Sequence, residues 1–356
     1  MAHRPAYRRL AGLPALAAFA ATIAVAQPVR AQSDFYAHKQ ISVIISHAAG
    51  SPYDSFARLV IRHYGKHIAG NPTLVPQNMP GAVGMIALNT LYNRAPRDGT
   101  TIAQAGKSVV LEPLFGNELA RFDPLKLNWI GSGQADVSLC FSRLDSPIKT
   151  IEDARRQQVL VGATGPTGDS SFISHLVNQL LGTKLKPVLG YPDTPNVALA
   201  MERGELDGGC GYTSTTLRAA RPQWFEGKAI NIFLQASLKR TSSFPDIPAL
   251  GELVTDKKDR EALEVAISTD PLVRTFVAPP GVPAERVEML RSAFMATMRD
   301  PDFVAEATKS QFDVTATSGA DVKALVEKLY ASPQDAVQRI IEIRKIASGT
   351  APAPTR

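Results

Sequence analysis

The chain has 356 residues, 39 Lys and Arg against 33 Asp and Glu for a formal charge of +6, and two cysteines. Mixed charges without a basic run give no reason to propose a nucleic-acid partner, and the two cysteines, seventy residues apart, do not form the cluster that a zinc site needs. The length is enough for two lobes, each with its own core.

At the start, Arg4, Arg8 and Arg9 precede an apolar stretch from Leu10 to Ala26 that ends at Val29-Arg30-Ala31, a small-x-small cleavage pattern. Residues 1–31 are expected to be a cleaved secretory signal, which places the mature chain in the periplasm. Its removal takes away four arginines and no acid, so the formal charge falls from +6 to +2. Next come strand 41–46, helix 55–67, strand 73–77, helix 85–94 and strand 101–105. This βαβαβ succession implies a mostly parallel sheet with helices on its faces and ligands at the carboxyl ends of its strands.

From residue 127 the rhythm changes: strands 127–130 and 137–142, a helix after Thr150, strand 159–161, helix 171–181, strand 186–189, helix 196–203, and strands 208–212 and 229–235. A Pro-bounded loop, 243–250, precedes strand 273–278, and 3.6-type apolar spacing marks helices over 284–298, 301–309 and 319–346. No fresh sheet starts in the last hundred residues, so the chain is expected to return and complete the first lobe. The division is residues 32–136 and 232–347 for lobe 1, 137–231 for lobe 2, and 348–356 as a disordered tail. Cys140 and Cys210 fall in two of the lobe-2 strands. An oxidising compartment favours a bridge between them, and two buried free thiols are the alternative.

Two segments share a pattern in which a β-branched run breaks into a Gly/Ser/Thr/Asp loop and restarts as an amphipathic helix. The first loop is His47-Ala48-Ala49-Gly50-Ser51-Pro52-Tyr53-Asp54, and the second is Ala163-Thr164-Gly165-Pro166-Thr167-Gly168-Asp169-Ser170-Ser171. First-turn N–H groups lack intrahelical partners and sit at the positive end of the helix dipole, so each loop is a candidate anion site. Alternatively, each is an ordinary strand-to-helix connection. No reactive constellation accompanies them: there is no GxSxG elbow, no GK[ST] ending, and no glutamate of the HExxH kind between His63 and His67. The chain is therefore read as a binding protein, without cofactor or metal, and not as an enzyme.

Seven elements occur in the order seen in periplasmic receptors of tripartite tricarboxylate transporters, the Bug or TctC-like family, which the mature chain resembles over essentially its whole length. They are Ala49-Gly50-Ser51-Pro52-Tyr53-Asp54 with Ala57-Arg58, Asn78-Met79-Pro80-Gly81-Ala82-Val83-Gly84, Ala95-Pro96-Arg97-Asp98-Gly99-Thr100-Thr101, the second glycine loop before His175-Leu176, Gly204-Glu205-Leu206-Asp207, Phe244-Pro245-Asp246-Ile247-Pro248, and Ala278-Pro279-Pro280-Gly281-Val282-Pro283. Two departures stand out: Ser51 replaces the first loop's second glycine, and Arg97 is inserted into the Pro-Asp-Gly turn.

The resemblance implies an α/β, type II-like periplasmic binding protein. Each of its two lobes would be a mixed, mostly parallel sheet flanked by helices, with the cleft between them. It also implies capture of a di- or tricarboxylate, or a related small organic acid, for membrane permease subunits. The alternative is a periplasmic sensor that presents the acid to a sensor kinase; a monomer is expected in either case.

Ala49, Gly50 and Ser51 are expected to meet one carboxylate, and Thr164, Gly165, Thr167, Gly168, Asp169 and Ser170 to do so from the other lobe. Asp54 is weighed as a helix cap against a ligand contact. Gly106, Lys107 and Ser108 follow a strand and are placed at the cleft floor, with Lys107 as the cation to test or else a solvated lysine. Tyr191 and Tyr212 either close over the ligand or belong to the core.

Overall fold

The computed structural model describes residues 1–3, 35–166 and 168–350. The expected leader beyond residue 3, Thr167 and tail residues 351–356 lie outside the described residues.

Among the described residues, eleven strands form two sheets. The first contains β1 (Gln40–Ile45), β2 (Thr73–Asn78), β3 (Thr101–Ala105), β4 (Asn128–Gln134), β10 (Val273–Ala278) and β11 (Thr317–Ser318), in the order β11-β4-β10-β3-β1-β2. The second contains β5 (Ser138–Arg143), β6 (Val159–Gly162), β7 (Leu185–Val188), β8 (Gly208–Thr213) and β9 (Ile230–Ala236), in the order β7-β6-β8-β5-β9.

Both sheets are mixed. β1 runs parallel to β2 and β3, and β6 runs parallel to β7 and β8, as helical crossovers require. The antiparallel pairs involve the strands that carry the chain between sheets: β10 against β3 and β4, β11 against β4, and β5 against β8 and β9. The chain passes from the first sheet to the second between β4 and β5, and returns between β9 and β10, so β9 stays whole in the second sheet, to Ala236, where the sequence division places residues 232–236 in the first lobe. These two crossings form the hinge.

Local sequence explains how the first helix docks. Ser51 caps Pro52–Tyr64, Pro52 needs no N–H partner at the first position, and Phe56, Leu59, Val60 and Tyr64 bury one face. Phe56 reaches the sheet because Gly133 of β4 has no side chain, and a Cβ there would lie 2.4 Å from the Phe56 ring.

The segment expected as one helix over 319–346 is two helices, Gly319–Tyr330 and Gln334–Ala347. Pro333 lacks the N–H that a continuous helix would use there and clashes with the preceding turn. A further helix, Lys257–Ile267, begins at the Asp256 cap, where the run Lys257-Lys258-Asp259-Arg260 hides the apolar spacing of Ala262, Leu263 and Ala266.

The C-terminal helix reaches across both lobes. Ile340 and Ile343 share a continuous core with Leu263 and Ala266, and with Ile173, Leu176 and Val177 of the helix Asp169–Leu181. Arg344 Nη2 lies 3.0 Å from Glu112 Oε1 in the first lobe, while Ser171 Oγ donates to the Ala347 carbonyl at 3.3 Å. Among the described residues, no helix is long and apolar enough to cross a membrane.

Cys140 and Cys210 are register partners on β5 and β8 and form a disulfide between positions 70 residues apart. Unfolded, unreduced protein should therefore show no free thiol. Reduction should lower stability by about 2–4 kcal/mol, the usual range for a bridge across a long loop, read as a drop in the urea midpoint. Two titratable thiols before reduction would contradict the bond.

Candidate functional site

The first glycine loop is held mainly by its own residues. Asp54 is buried, and its Oδ2 accepts from the Gly50 N–H at 2.8 Å, while Ser51 Oγ accepts from the Asp54 N–H at 3.2 Å. Arg58 Nε and Asn78 Nδ2 also donate to this carboxylate, at 2.9 and 2.8 Å. Burial raises the Asp54 pKa, but these donors outweigh it and hold the group below the ordinary carboxylate range. The Ser51 N–H donates to the Ala48 carbonyl at 3.2 Å, and Gly50 takes the left-handed conformation that the turn requires, with φ of 78°. The structure thus gives Asp54 a locking role, with the Gly50 and Ser51 N–H groups bonded inside the loop.

The second loop is tied to its own strand and helix. The Thr164 N–H donates to Ser170 Oγ at 3.2 Å, and Gly168 occupies the N-cap position of Asp169–Leu181. The Tyr212 hydroxyl donates to the Gly162 carbonyl at 3.0 Å, which places that side chain in the wall beneath the loop. Tyr191 packs against the apolar core of the second lobe. A Cβ at Gly165 would meet nothing within 4 Å, so the loop backbone is open there.

Lys107 joins the lobes. It follows β3 and is 9% exposed, with Nζ 3.1 Å from Asp270 Oδ1 in the hinge and 3.6 Å from Asp169 Oδ2 in the second lobe. Burial disfavours the ammonium, but the two carboxylates more than reverse this and hold its pKa above the usual lysine range. Burial pushes Asp270 up to about 6, with Lys107 pulling the other way. Beside this cluster, Lys107, Ser108, Ser138 and Asp270 line a cavity of about 50 Å3. That is room for water and too little for an organic acid.

A groove of about 640 Å3 lies between the lobes, within the ordinary size range of small-molecule sites. Ser214, Thr215, Ser237 and Thr241 line it from the second lobe, Asp136 and Asp270 from the hinge, and Met298, Phe312 and Thr315 from the first. Sequence reasoning did not find this wall, because its members come from six separate segments. Ser214 and Thr215 belong to a hydroxyl-rich run, Thr213 to Thr216, that begins at the last residue of β8.

Arg274 was also missed, although a basic residue in the strand Val-Arg-Thr-Phe-Val-Ala is a visible signal. It is 4% exposed and left-handed, with φ of 62°. Its guanidinium lies 5.0 Å from the Phe312 ring, 5.2 Å from Tyr53 and 5.4 Å from Phe56. Nη1 bonds the Gln134 amide oxygen, Nε has no partner, and among the described residues no carboxylate lies within ion-pair distance. The His47 ring stacks on Tyr53, with centroids 3.9 Å apart, and its Nδ1 is 2.9 Å from Ser46 Oγ. It also packs on Gly106, where a Cβ would lie 3.0 Å from the ring. Burial first, then the Arg274 charge, brings the His47 pKa down to about 4. His63 and His67, by contrast, pair with Glu306 and Asp300 on the outer face of the first lobe.

The family model for the tripartite tricarboxylate transporter family receptor, TctC, matches residues 57–344. The chain is 26% identical over 308 residues to a UPF0065 protein of Bordetella bronchiseptica, covering 84% of this chain and 85% of that protein. Among solved structures, it is similar to a TctC solute binding protein from Polaromonas, with TM-score 0.66, 18% identity, and 85% and 98% of the two chains covered. It is also similar to an R. palustris protein with adipate, with TM-score 0.59, 16% identity, and 86% and 97% covered.

The depressed His47 pKa fixes the sign of a pH effect. The unfolded side chain titrates near 6.5, whereas the folded one stays neutral until about 4. Its contribution to stability is therefore complete above pH 6.5 and is lost as pH falls towards 4. Asp270, raised to about 6, acts in the opposite direction, gaining stability as pH falls through that value. The His47 part is isolated by comparison with His47→Gln, which should keep more of its melting temperature than wild type between pH 6.5 and 4. Parallel melting curves across that range would count against it.

Proposed function

The chain belongs to the tripartite tricarboxylate transporter receptor family, and from that premise we propose that it captures a small organic carboxylate in the periplasm and delivers it to membrane permease subunits. The observation that carries this reading is the groove, which draws its walls from both lobes and from the hinge between them. A ligand that touches all three stabilises the closed arrangement by its differential affinity for it.

The surroundings suit binding better than chemistry. Hydroxyls and carboxylates line the groove, and the nearby histidine, His47, is held as a neutral ring stacked on Tyr53. The second glycine loop, from Thr164 to Ser170, lies outside the groove wall but is joined to it through Asp169, Lys107 and the wall residue Asp270, and its backbone is open at Gly165, so its neutral donors are read as meeting a ligand that extends past Asp270. The R. palustris relative with adipate supports a carboxylate as the ligand class.

A thermal-shift panel of mono-, di- and tricarboxylates tests the proposal. A bound acid at about 100 times its dissociation constant adds about 2.7 kcal/mol, a rise of several degrees. If no acid shifts melting at millimolar concentration, the receptor reading fails. Gly165→Val has space in the folded chain and should abolish the shift without lowering the unliganded melting temperature. An unchanged shift would reduce the loop to a connection.

A further inference from the structure

The groove's charges do not match a di- or tricarboxylate. Lys107, the cation next to it, is already met by Asp270 and Asp169. Asp136 adds a carboxylate to the wall, its Oδ1 accepting from Ser214 Oγ at 2.9 Å and from the Val137 N–H at 2.9 Å. A ligand with several negative charges would face these acids with few cations to balance it.

Arg274 is the exception. Its guanidinium is withdrawn from water behind Phe312 and is hydrogen-bonded to an amide oxygen, with Nε unsatisfied. A buried cation left in that state is costly, and the surrounding fold retains it in a strained left-handed conformation at the start of β10. A carboxylate is the partner that a planar guanidinium fits best, through two parallel N–H···O bonds. The same amide links this centre to the groove, because Gln134 Nε2 donates to Thr215 Oγ1 at 2.9 Å, and Thr215 and Phe312 are both wall residues. Gln134 thus stands between the groove wall and the cation, bonded to both. The second-lobe wall then offers Ser214, Thr215, Ser237, Thr241, Ser242 and Ser243, with the Asp136 carboxylate able to accept from ligand hydroxyls.

We propose that Arg274 anchors the single carboxylate of a hydroxylated monocarboxylic acid, of the sugar-acid type, whose hydroxyls meet the Ser, Thr and Asp wall of the groove. This rests on the receptor reading and narrows it to one ligand class and one charge.

Calorimetric titration with D-gluconate, D-gluconamide, L-malate and citrate tests the inference on the wild-type chain. Gluconate should bind at least about tenfold more tightly than malate or citrate, and gluconamide, which keeps the hydroxyls and lacks the charge, should bind about 10- to 100-fold more weakly than gluconate. Malate or citrate binding more tightly than gluconate would overturn the proposal while leaving the receptor reading intact. Gluconamide equal to gluconate would also overturn it, without any variant. Arg274→Met places an apolar side chain of similar length among three rings, so the unliganded protein should melt no lower. Its gluconate affinity should fall about 10- to 100-fold, and Arg274→Lys should recover part of the loss. Wild-type affinity in a folded Arg274→Met protein would remove Arg274 from the site.

Discussion

The arrangement depends on one buried ammonium. Lys107 lies at the carboxyl end of β3, Asp270 in the segment that returns the chain to the first sheet, and Asp169 in the first turn of a second-lobe helix. Withdrawing ions from water costs several kcal/mol each unless they meet one another closely, so these groups favour an arrangement in which the hinge and both lobes come together. Asp169 has a second effect. Its carboxylate already lies at the positive end of its helix, which weakens the attraction of that terminus for another anion. The helix end can still direct N–H groups at neutral oxygens, but the charge for an acid must come from elsewhere.

The alternation of strands and helices was legible because each element repeats its own period. The parallel pairs of both sheets and the positions of the two glycine loops follow from local pattern. The internal bonding of the first loop was only half visible. Ser51 and Asp54 have the spacing of a cap and its reciprocal partner, yet the contributions of Arg58 and Asn78 depend on β2 lying beside β1. Arg274 could not be placed from sequence, because its surroundings are Tyr53 and Phe56 from one helix, Phe312 from beyond another, and Gln134 from the end of β4. Pro333 shows the opposite case, where a plain local signal was outweighed by long apolar periodicity on either side.

The histidine and arginine centres also explain each other. His47 stacks on Tyr53, Tyr53 faces Arg274, and the guanidinium charge helps keep the imidazole neutral. A protonated ring at that place would set two cations near one another in a site largely shielded from water. The first loop therefore presents an aromatic face and a fixed charge state at neutral pH, although its backbone amides are turned inward.

The C-terminal helix sets a condition on the hinge. Ile340 and Ile343 pack against Ile173, Leu176 and Val177 of the second lobe, while Arg344 holds Glu112 of the first. Parting the lobes widely means uncovering that apolar seam or letting the two helices slide along it, and either motion carries a free-energy cost independent of any solute. Since the apparent affinity of a receptor is its intrinsic affinity scaled by the fraction of molecules in the competent form, the packing of Ile340 tunes capture from a position outside the groove. Selectivity and strength of binding can thus be adjusted separately in this chain, the first by the groove wall and the second by a helix seam on the far side of Lys107.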